Sequence, residues 1–338
     1  MSVTIRDLAK HVGLSMSAVS KALNGYSDVS ESTRKAVIKA ARELNYTPNV
    51  HARALKSKRS YNLGVLFSDD SQSGLTHPFF SVVLESFKKE AEERGYDITF
   101  IGHRIGGGRI TYLDHCRSRE LDGVCIANTD FSVEEVQMLI QSELPLVTID
   151  NPFPGRGCVL ADNRGGMTQL MEYVIGCGHR KIGYIHGPAS AVTDLRISAF
   201  LETAARHGLQ VPPEYLGQCA YNEPQSCYEA AERMIRLEDR PTCILVSDDY
   251  SSSGALQAAR AASLRVPEDL SVAGYDGIGW LSNFFPRLTT VDQDADRIGQ
   301  TAACLLIDQI EGAPPETRTI PARLIPGGTV RKVTKNNE

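Results

Sequence analysis

TIRDLAKHVGLSMSAVSKALNG, residues 4–25, sets two short amphipathic runs on either side of one glycine. Thr4 and Asp7 have the spacing of a capping box, in which the threonine oxygen accepts from first-turn amides. Ile5, Leu8, Ala9 and Val12 then recur at i, i+3, i+4 and i+7, one face of a helix. Gly13 can supply the positive φ that a helix stop and a sharp turn require. Ser15 is placed to cap a second run, whose apolar stripe is Val19, Ala22 and Leu23. The opposite face of that run shows Met16, Ser17, Ser20, Lys21 and Asn24. These are small polar or long cationic groups that reach base edges when a helix lies in a groove. A third run starts near Ser30, with Val37, Ile38, Ala41 and Leu44 as its buried side. Two short helices joined by a tight turn and braced by a third form a helix-turn-helix unit. A plain three-helix bundle would share the periodicity, so charge has to decide between them.

Residues 1–60 carry 11 Lys and Arg against 4 Asp and Glu, and the rest of the chain 25 against 37. The balances are therefore +7 and −12, which sum to the net −5. A basic head on an acidic body is the electrostatic footprint of a nucleic-acid-binding module joined to something else. Charge and the polar second helix together favour DNA.

With 338 residues the chain has room for two or three domains. Hydrophobic residues make up 42%, charged residues 23%, and mean hydropathy is −0.21, as in soluble globular proteins. No apolar run approaches the ~18–20 residues that cross a bilayer, and no secretory leader follows Met1. A cytoplasmic protein without membrane contact is expected. The eight cysteines are scattered, with no C-x-x-C and no neighbouring histidine pair. They are expected to be reduced thiols rather than a disulfide framework or a metal site.

The head continues as VTIRDLAKHVGLSMSAVSKALNGYSDVSESTRKAVIKAARELNYTPNVHARALKSKRS, residues 3–60. It resembles the DNA-binding head of the lactose repressor/galactose repressor family. The matching signatures are T-I-x-D-x-A, G-L-S-x-x-x-V-S-K-x-L-N, V-S-x-x-T-R and Y-x-P-N-x-x-A-R-x-L. The resemblance implies a homodimer on a near-palindromic double-stranded operator, its second helices in successive major grooves. Met16, Ser17 and Lys21 would read bases, with Ser15 and Asn24 helping to fix the backbone and Thr4 and Ser20 as further DNA contacts. Lys21 departs from the arginine many members carry, and lysine lacks the planar fork that grips guanine from two sides. Residues 48–60 would be a linker that becomes a hinge helix in the minor groove, with Asn49, Ala52 and Leu55 at the matching positions. Leu55 is a lone large apolar residue among Arg53, Lys56, Lys58 and Arg59, which suits a wedge at a kinked step.

From Tyr61 onward β-rich runs alternate with helical ones. Strands are expected at YNLGVLF, YDITFIG, DGVCIA, PLVTID, KIGYIHG, CILVSD and LSVAGYDG. That βαβα rhythm predicts two doubly wound parallel sheets. Ligands in such folds sit beyond the carboxyl ends of the strands. Those ends carry Ser68-Asp69, Asp150, Asp162, His186, Asp248 and Asp276, and Asp162 is placed to cap a helix. GHRIGGGR, residues 102–109, has no dinucleotide-binding spacing and reads as a mobile loop.

The body resembles the same family in THPFFSVVLESFKKEAEERGYDI, LRISAFLETAARHGL and SDDYSSSGALQAARAASLRVPEDLSVAGYDG. The resemblance implies two lobes of the periplasmic-binding-protein type with an effector cleft between them. One lobe would take about 61–162 and 293–322, the other 163–292 and 323–330, leaving 331–338 as a tail. Phe79 and Phe80 would wall the cleft, and Asp150, Arg196, Asp248 and Asp276 would bind effector. Ala199 stands for the usual Gly, Asp248 for Asn, and Gly277 for a second Asp.

A ligand-controlled repressor is the resulting expectation. A free-standing solute-binding protein would need export, and no H-E-x-x-H, Walker A or G-x-S-x-G motif points to an enzyme. No cofactor is expected. Tetrameric relatives add a leucine heptad tail. Here GGTVRKVTKNNE offers none after the last strand, which points to a homodimer. A neutral sugar acting as inducer is the expected effector. A purine or a protein co-repressor is the alternative.

Overall fold

The computed structural model describes residues 3–23, 26, 28–46, 59–69, 73–279 and 285–333. Met1–Tyr61 and Asn62–Glu338 form separate compact units. In the first, α1 (Ile5–Val12) begins with the capping box: Asp7 N donates to Thr4 Oγ1, and Thr4 N donates to Asp7 Oδ2 at 2.9 Å. Gly13, at φ 66°, ends it in the left-handed region. Helix α2 (Met16–Leu23) is capped by Ser15, whose Oγ accepts from Ala18 N at 3.1 Å. Helix α3 (Glu31–Glu43) starts on the Ser30 cap. Leu8, Ala9, Val19, Ala22, Val37, Ala40 and Ala41 form the core of the unit.

One expectation fails here. Ile38 is 37% exposed and Ala40 is buried instead. The stripe that keeps helical period is Val37, Ala40, Ala41 and Leu44, and Ile38 lies about 100° round from Val37.

The second unit is α/β. Its larger sheet is fully parallel, in the order β13 (Thr317–Ile320), β7 (Gly157–Ala161), β6 (Leu146–Ile149), β5 (Gly123–Asn128), β1 (Asn62–Phe67), β2 (Asp97–Phe100). The smaller, also parallel, runs β11 (Ser271–Ala273), β10 (Cys243–Val246), β8 (Ile182–His186), β9 (Leu216–Gln218). Central strands such as β5 and β10 are buried on both faces, as helices on both sides of a sheet require. A two-stranded antiparallel sheet pairs β12 (Thr290–Asp292) with β14 (Arg323–Ile325). Residues 102–109 are not a plain loop: Arg104–Ile105 and Gly108–Arg109 pair as an antiparallel hairpin. Gly106-Gly107, both at positive φ, supply its two-residue turn.

Close helix packing depends on two glycines. A Cβ on Gly254 would lie 2.0 Å from the Pro224 carbonyl oxygen, and one on Gly299 would lie 2.1 Å from that of Val83. Backbone cannot yield as a flexible side chain can. Gly254→Ala and Gly299→Ala are each expected to destabilise the body by about 1–3 kcal/mol or more, seen as a lower calorimetric Tm. An unchanged Tm would show that the helices can separate at no cost.

Candidate functional sites

In the head, α2 presents Met16, 48% exposed, and Ser17 on its outer face. Ser20 and Lys21 are half-buried beside them. Ser15 spends an oxygen lone pair on its cap and keeps a proton to donate. Thr4 is committed to α1, since its hydroxyl donates to Asp7 Oδ2 at 2.7 Å. Lys21 is ion-paired with Asp28, so its ammonium must exchange that partner before it can reach a base. Both side chains are about half exposed, and DNA phosphates and bases can compete with such a solvent-facing pair. Asn24, Asn49, Ala52 and Leu55 lie outside the described residues.

In the body, both sheets reverse strand order: β1 lies between β2 and β5, and β8 between β9 and β10. Ligand crevices open beyond the carboxyl ends at such reversals. At the first, Asp69 closes a turn by accepting from Ser73 Oγ at 2.6 Å. His77 Nδ1 accepts from the backbone N–H groups of Phe79 and Phe80, at 3.3 and 3.2 Å, and so starts α4 (Phe80–Glu93). Phe79 is buried and Phe80 half-buried. Phe67, His77 and Phe79 surround the Phe80 ring at centroid distances of 5.0–5.3 Å. Burial lowers the pKa of His77, while the charges of Asp69 and Asp248 oppose that shift.

At the second reversal Arg196 is the hub. It is 3% exposed, on a helix spanning Ala191–Arg206, and its guanidinium lies 3.8 Å from the centre of the Tyr275 ring. Its Nε donates to Asn163 Oδ1 at 2.8 Å, Nη1 to Ser247 O at 2.9 Å, and Nη2 to Gln293 Oε1 at 3.2 Å. Gln293 Nε2 in turn donates to Asp276 Oδ1 at 2.6 Å. Asn163 and Gln293 follow β7 and β12, where the chain leaves one sheet system for another. Arg196 thus ties these passages to the end of β10.

The aspartates expected to line the cleft have prior duties. Asp248 caps the helix Asp249–Ala261, accepting from Ser251 N at 2.7 Å and from Ser247 Oγ at 3.0 Å. Asp162 caps Asn163–Gly176 through Gly165 N at 2.8 Å. Asp150 accepts from Ala161 N at 2.7 Å, and His186 Nδ1 bonds to Gly187 O at 2.8 Å. Gly277, the departure from a second Asp, lies so close to Asp292 that a Cβ would be 2.6 Å from its Cα.

Sequence reasoning missed Asn163, Gln293, Asp249, Tyr184 and Tyr221. Asp249 is buried and clamps the segment that carries Asp276: Asp249 N donates to Tyr275 O, Oδ2 accepts from Ile278 N, and Oδ1 accepts from Thr290 Oγ1. The adjacent Asp-Asp pair at 248–249 was a usable signal, since only one of the two can cap. Tyr221 packs over Gly187, where a Cβ would meet its ring at 2.2 Å, and its hydroxyl bonds to Thr193 Oγ1. The Tyr184 hydroxyl and Asn222 Oδ1 are buried with no partner among the described residues. Burying such an atom unpaired costs about 1–3 kcal/mol.

These carboxyls give the body a pH dependence. Burial pushes Asp249 up to about 7 and Asp150 up to about 6, and holds Asp276 well above the ordinary 3.8. Each holds its proton more tightly folded than unfolded. The stability that Asp249 and Asp150 add is therefore full below 3.8 and is lost as pH rises through about 7 and about 6, and that of Asp276 is lost in the same direction. Asp249→Asn keeps an acceptor for Ile278 N and turns a donor toward Thr290 Oγ1. It is expected to flatten the fall in Tm between about pH 4 and 7. The same slope in the variant would assign the effect to other groups.

A helix-turn-helix head joined to an α/β body of two parallel sheets is the architecture of a class of DNA-binding regulators. Residues 4–49 match the bacterial regulatory proteins of the lacI family, and residues 171–330 a periplasmic binding protein-like domain. An HTH-type transcriptional repressor PurR of Proteus mirabilis (strain HI4320) is 33% identical over 325 residues, 94% of this chain and 93% of that one. Among solved structures, the Lac repressor dimer bound to operator and the anti-inducer ONPF has a TM-score of 0.83 at 26% identity. It covers 98% of this chain and 100% of its own. A complex of the transcriptional regulator CelR with cellobiose has a TM-score of 0.70 at 26% identity, over 97% and 99%. The chain belongs to the lacI family and is a DNA-binding transcriptional repressor. Among the described residues no helix is long and apolar enough to cross a membrane.

Proposed function

We propose that this repressor binds a near-palindromic operator as a homodimer in the cytoplasm and takes a neutral sugar into its cleft as inducer. The observation that carries the choice of ligand is the lack of free positive charge around Arg196 among the described residues. Its three nitrogens are all engaged by protein acceptors, and the acidic groups about it are Asp150, Asp248, Asp249 and Asp276. Burial favours the protonated form of Asp150, Asp249 and Asp276, so the site offers an anion no free cation and offers a neutral ligand carboxyl groups that donate as well as accept. A sugar brings hydroxyls that both donate and accept, and a C–H face for the Phe79–Phe80 cluster. The cellobiose bound by CelR, in the same fold, supports this reading. Calorimetry against neutral mono- and disaccharides, paired with operator retardation, tests it. A sugar that binds and releases DNA is expected. Tight binding of hypoxanthine or guanine that strengthens DNA binding would overturn it.

Base reading is assigned to Met16, Ser17 and Lys21, with Thr4, Ser15, Ser20, Asn24, Asn49, Ala52 and Leu55 as further DNA contacts. Lys21→Ala is expected to reduce preference for the matched base about ten- to hundredfold in competition retardation assays. Equal weakening on every sequence would make Lys21 a phosphate contact instead.

A further inference from the structure

The hydroxyl of Tyr184 is out of place in the interior that surrounds it. Tyr184 is completely inaccessible and packs at 5.3 Å on Phe200, among Met167, Leu170 and Met171, where phenylalanine would serve. Its hydroxyl finds no acceptor or donor among the described residues. The neighbouring polar groups are satisfied: Tyr275 Oη donates to Asn163 O at 3.3 Å, and Tyr221 Oη bonds to Thr193 Oγ1 at 2.8 Å.

Position supplies an independent argument. β8 is the strand on which the smaller sheet reverses its order, and Tyr184 stands two residues before its carboxyl end. A ligand at a reversal lies just beyond that end. The polar groups whose charges bear on Tyr184 are Arg196, Tyr221, Tyr275 and Cys219, which come from the helix after β8, the end of β9 and the end of β11. The unpaired hydroxyl thus has among its electrostatic neighbours groups that follow the carboxyl ends of β9 and β11, the end at which a ligand would lie.

We propose that Tyr184 is a specificity-determining residue for the effector, its hydroxyl pairing with a hydroxyl or carbonyl of the bound small molecule. The assignment rests on the effector-binding reading of the cleft. A site with a buried hydrogen-bonding group discriminates strongly against analogues that lack the matching group, because that group is then left unpaired. The pairing group on the ligand is thus one whose removal the protein detects.

The test is Tyr184→Phe in the full chain. It is measured by thermal unfolding without ligand and by calorimetry with glucose, galactose, cellobiose and their deoxy derivatives, and with hypoxanthine and guanine. The unliganded variant is expected to melt at the wild-type temperature or above it, because no protein bond is lost. Affinity for the probe that binds wild type is expected to fall about tenfold or more. One deoxy derivative is expected to bind wild type and variant alike. A Tm several degrees lower without ligand would show that the hydroxyl already has a protein partner, and would overturn the assignment. An affinity within twofold of wild type would also overturn it, leaving the sugar reading intact. If only purine bases bind and the variant weakens them, Tyr184 keeps its role and the sugar reading falls. If neither panel binds wild type, both fall.

Discussion

Leu8→Ala is expected to abolish operator binding by unfolding the head while the body melts as before. Leu8 is fully buried, and the other buried core residues around it are two valines and four alanines. Leucine-to-alanine truncation in a core costs about 2–5 kcal/mol, from lost transfer energy and the cavity left behind. A core in a unit this small rarely supplies more than about 3–5 kcal/mol in total. The loss is thus comparable to the whole stability of the unit. Differential calorimetry should retain the main transition of the body, amide exchange in residues 5–43 should lose its protection, and retardation should disappear. A variant that binds operator normally would show that the neighbouring side chains collapse into the space.

Arg196→Ala should have the second large effect, and on the body. It removes the donor from Asn163 Oδ1, Ser247 O and Gln293 Oε1 at once, and takes the cation away from Asp276. Breaking a buried charged network by deleting one partner costs about 3–5 kcal/mol, chiefly because the remaining groups stay buried and unpaired. A clear drop in the Tm of the body is expected, together with loss of effector response. Arg196→Lys should recover little, since one ammonium cannot reach three acceptors on separate segments. A wild-type Tm for Arg196→Ala would mean that the hub contributes to ligand binding alone. Loss of response in this variant without a stability measurement would therefore not identify a ligand contact.

The aspartates illustrate how far residue type can be carried. A carboxylate after a strand accepts hydrogen bonds from whatever donors lie nearest, and the first turn of a following helix offers several. Asp162 and Asp248 both meet that offer. Asp249, one residue further, points instead at the segment holding Asp276, and nothing in SDDYSSSG separates the two roles. In the same way Ile38 reads as core by hydropathy, and helix phase alone turns it outward.

What the sequence by itself determined is the head and the class of the body. The capping pairs Thr4–Asp7, Ser15–Ala18 and Ser30–Thr33 each span three residues, and Gly13 stops α1 through its own φ. Such signals act within one or two helical turns, as does the alternation that makes parallel sheets, and the charge asymmetry needs only counting. The cleft obeyed another rule. Arg196 meets Asn163, Ser247 and Gln293 across sequence separations of 33, 51 and 97 residues, and Gln293 then reaches Asp276. Those partners carry no shared period or motif, and their pairing is set by which strand ends converge. Only tertiary structure decided it, because the free energy of a buried polar group depends on the donors and acceptors that the fold brings within about 3 Å of it, wherever they stand in the sequence.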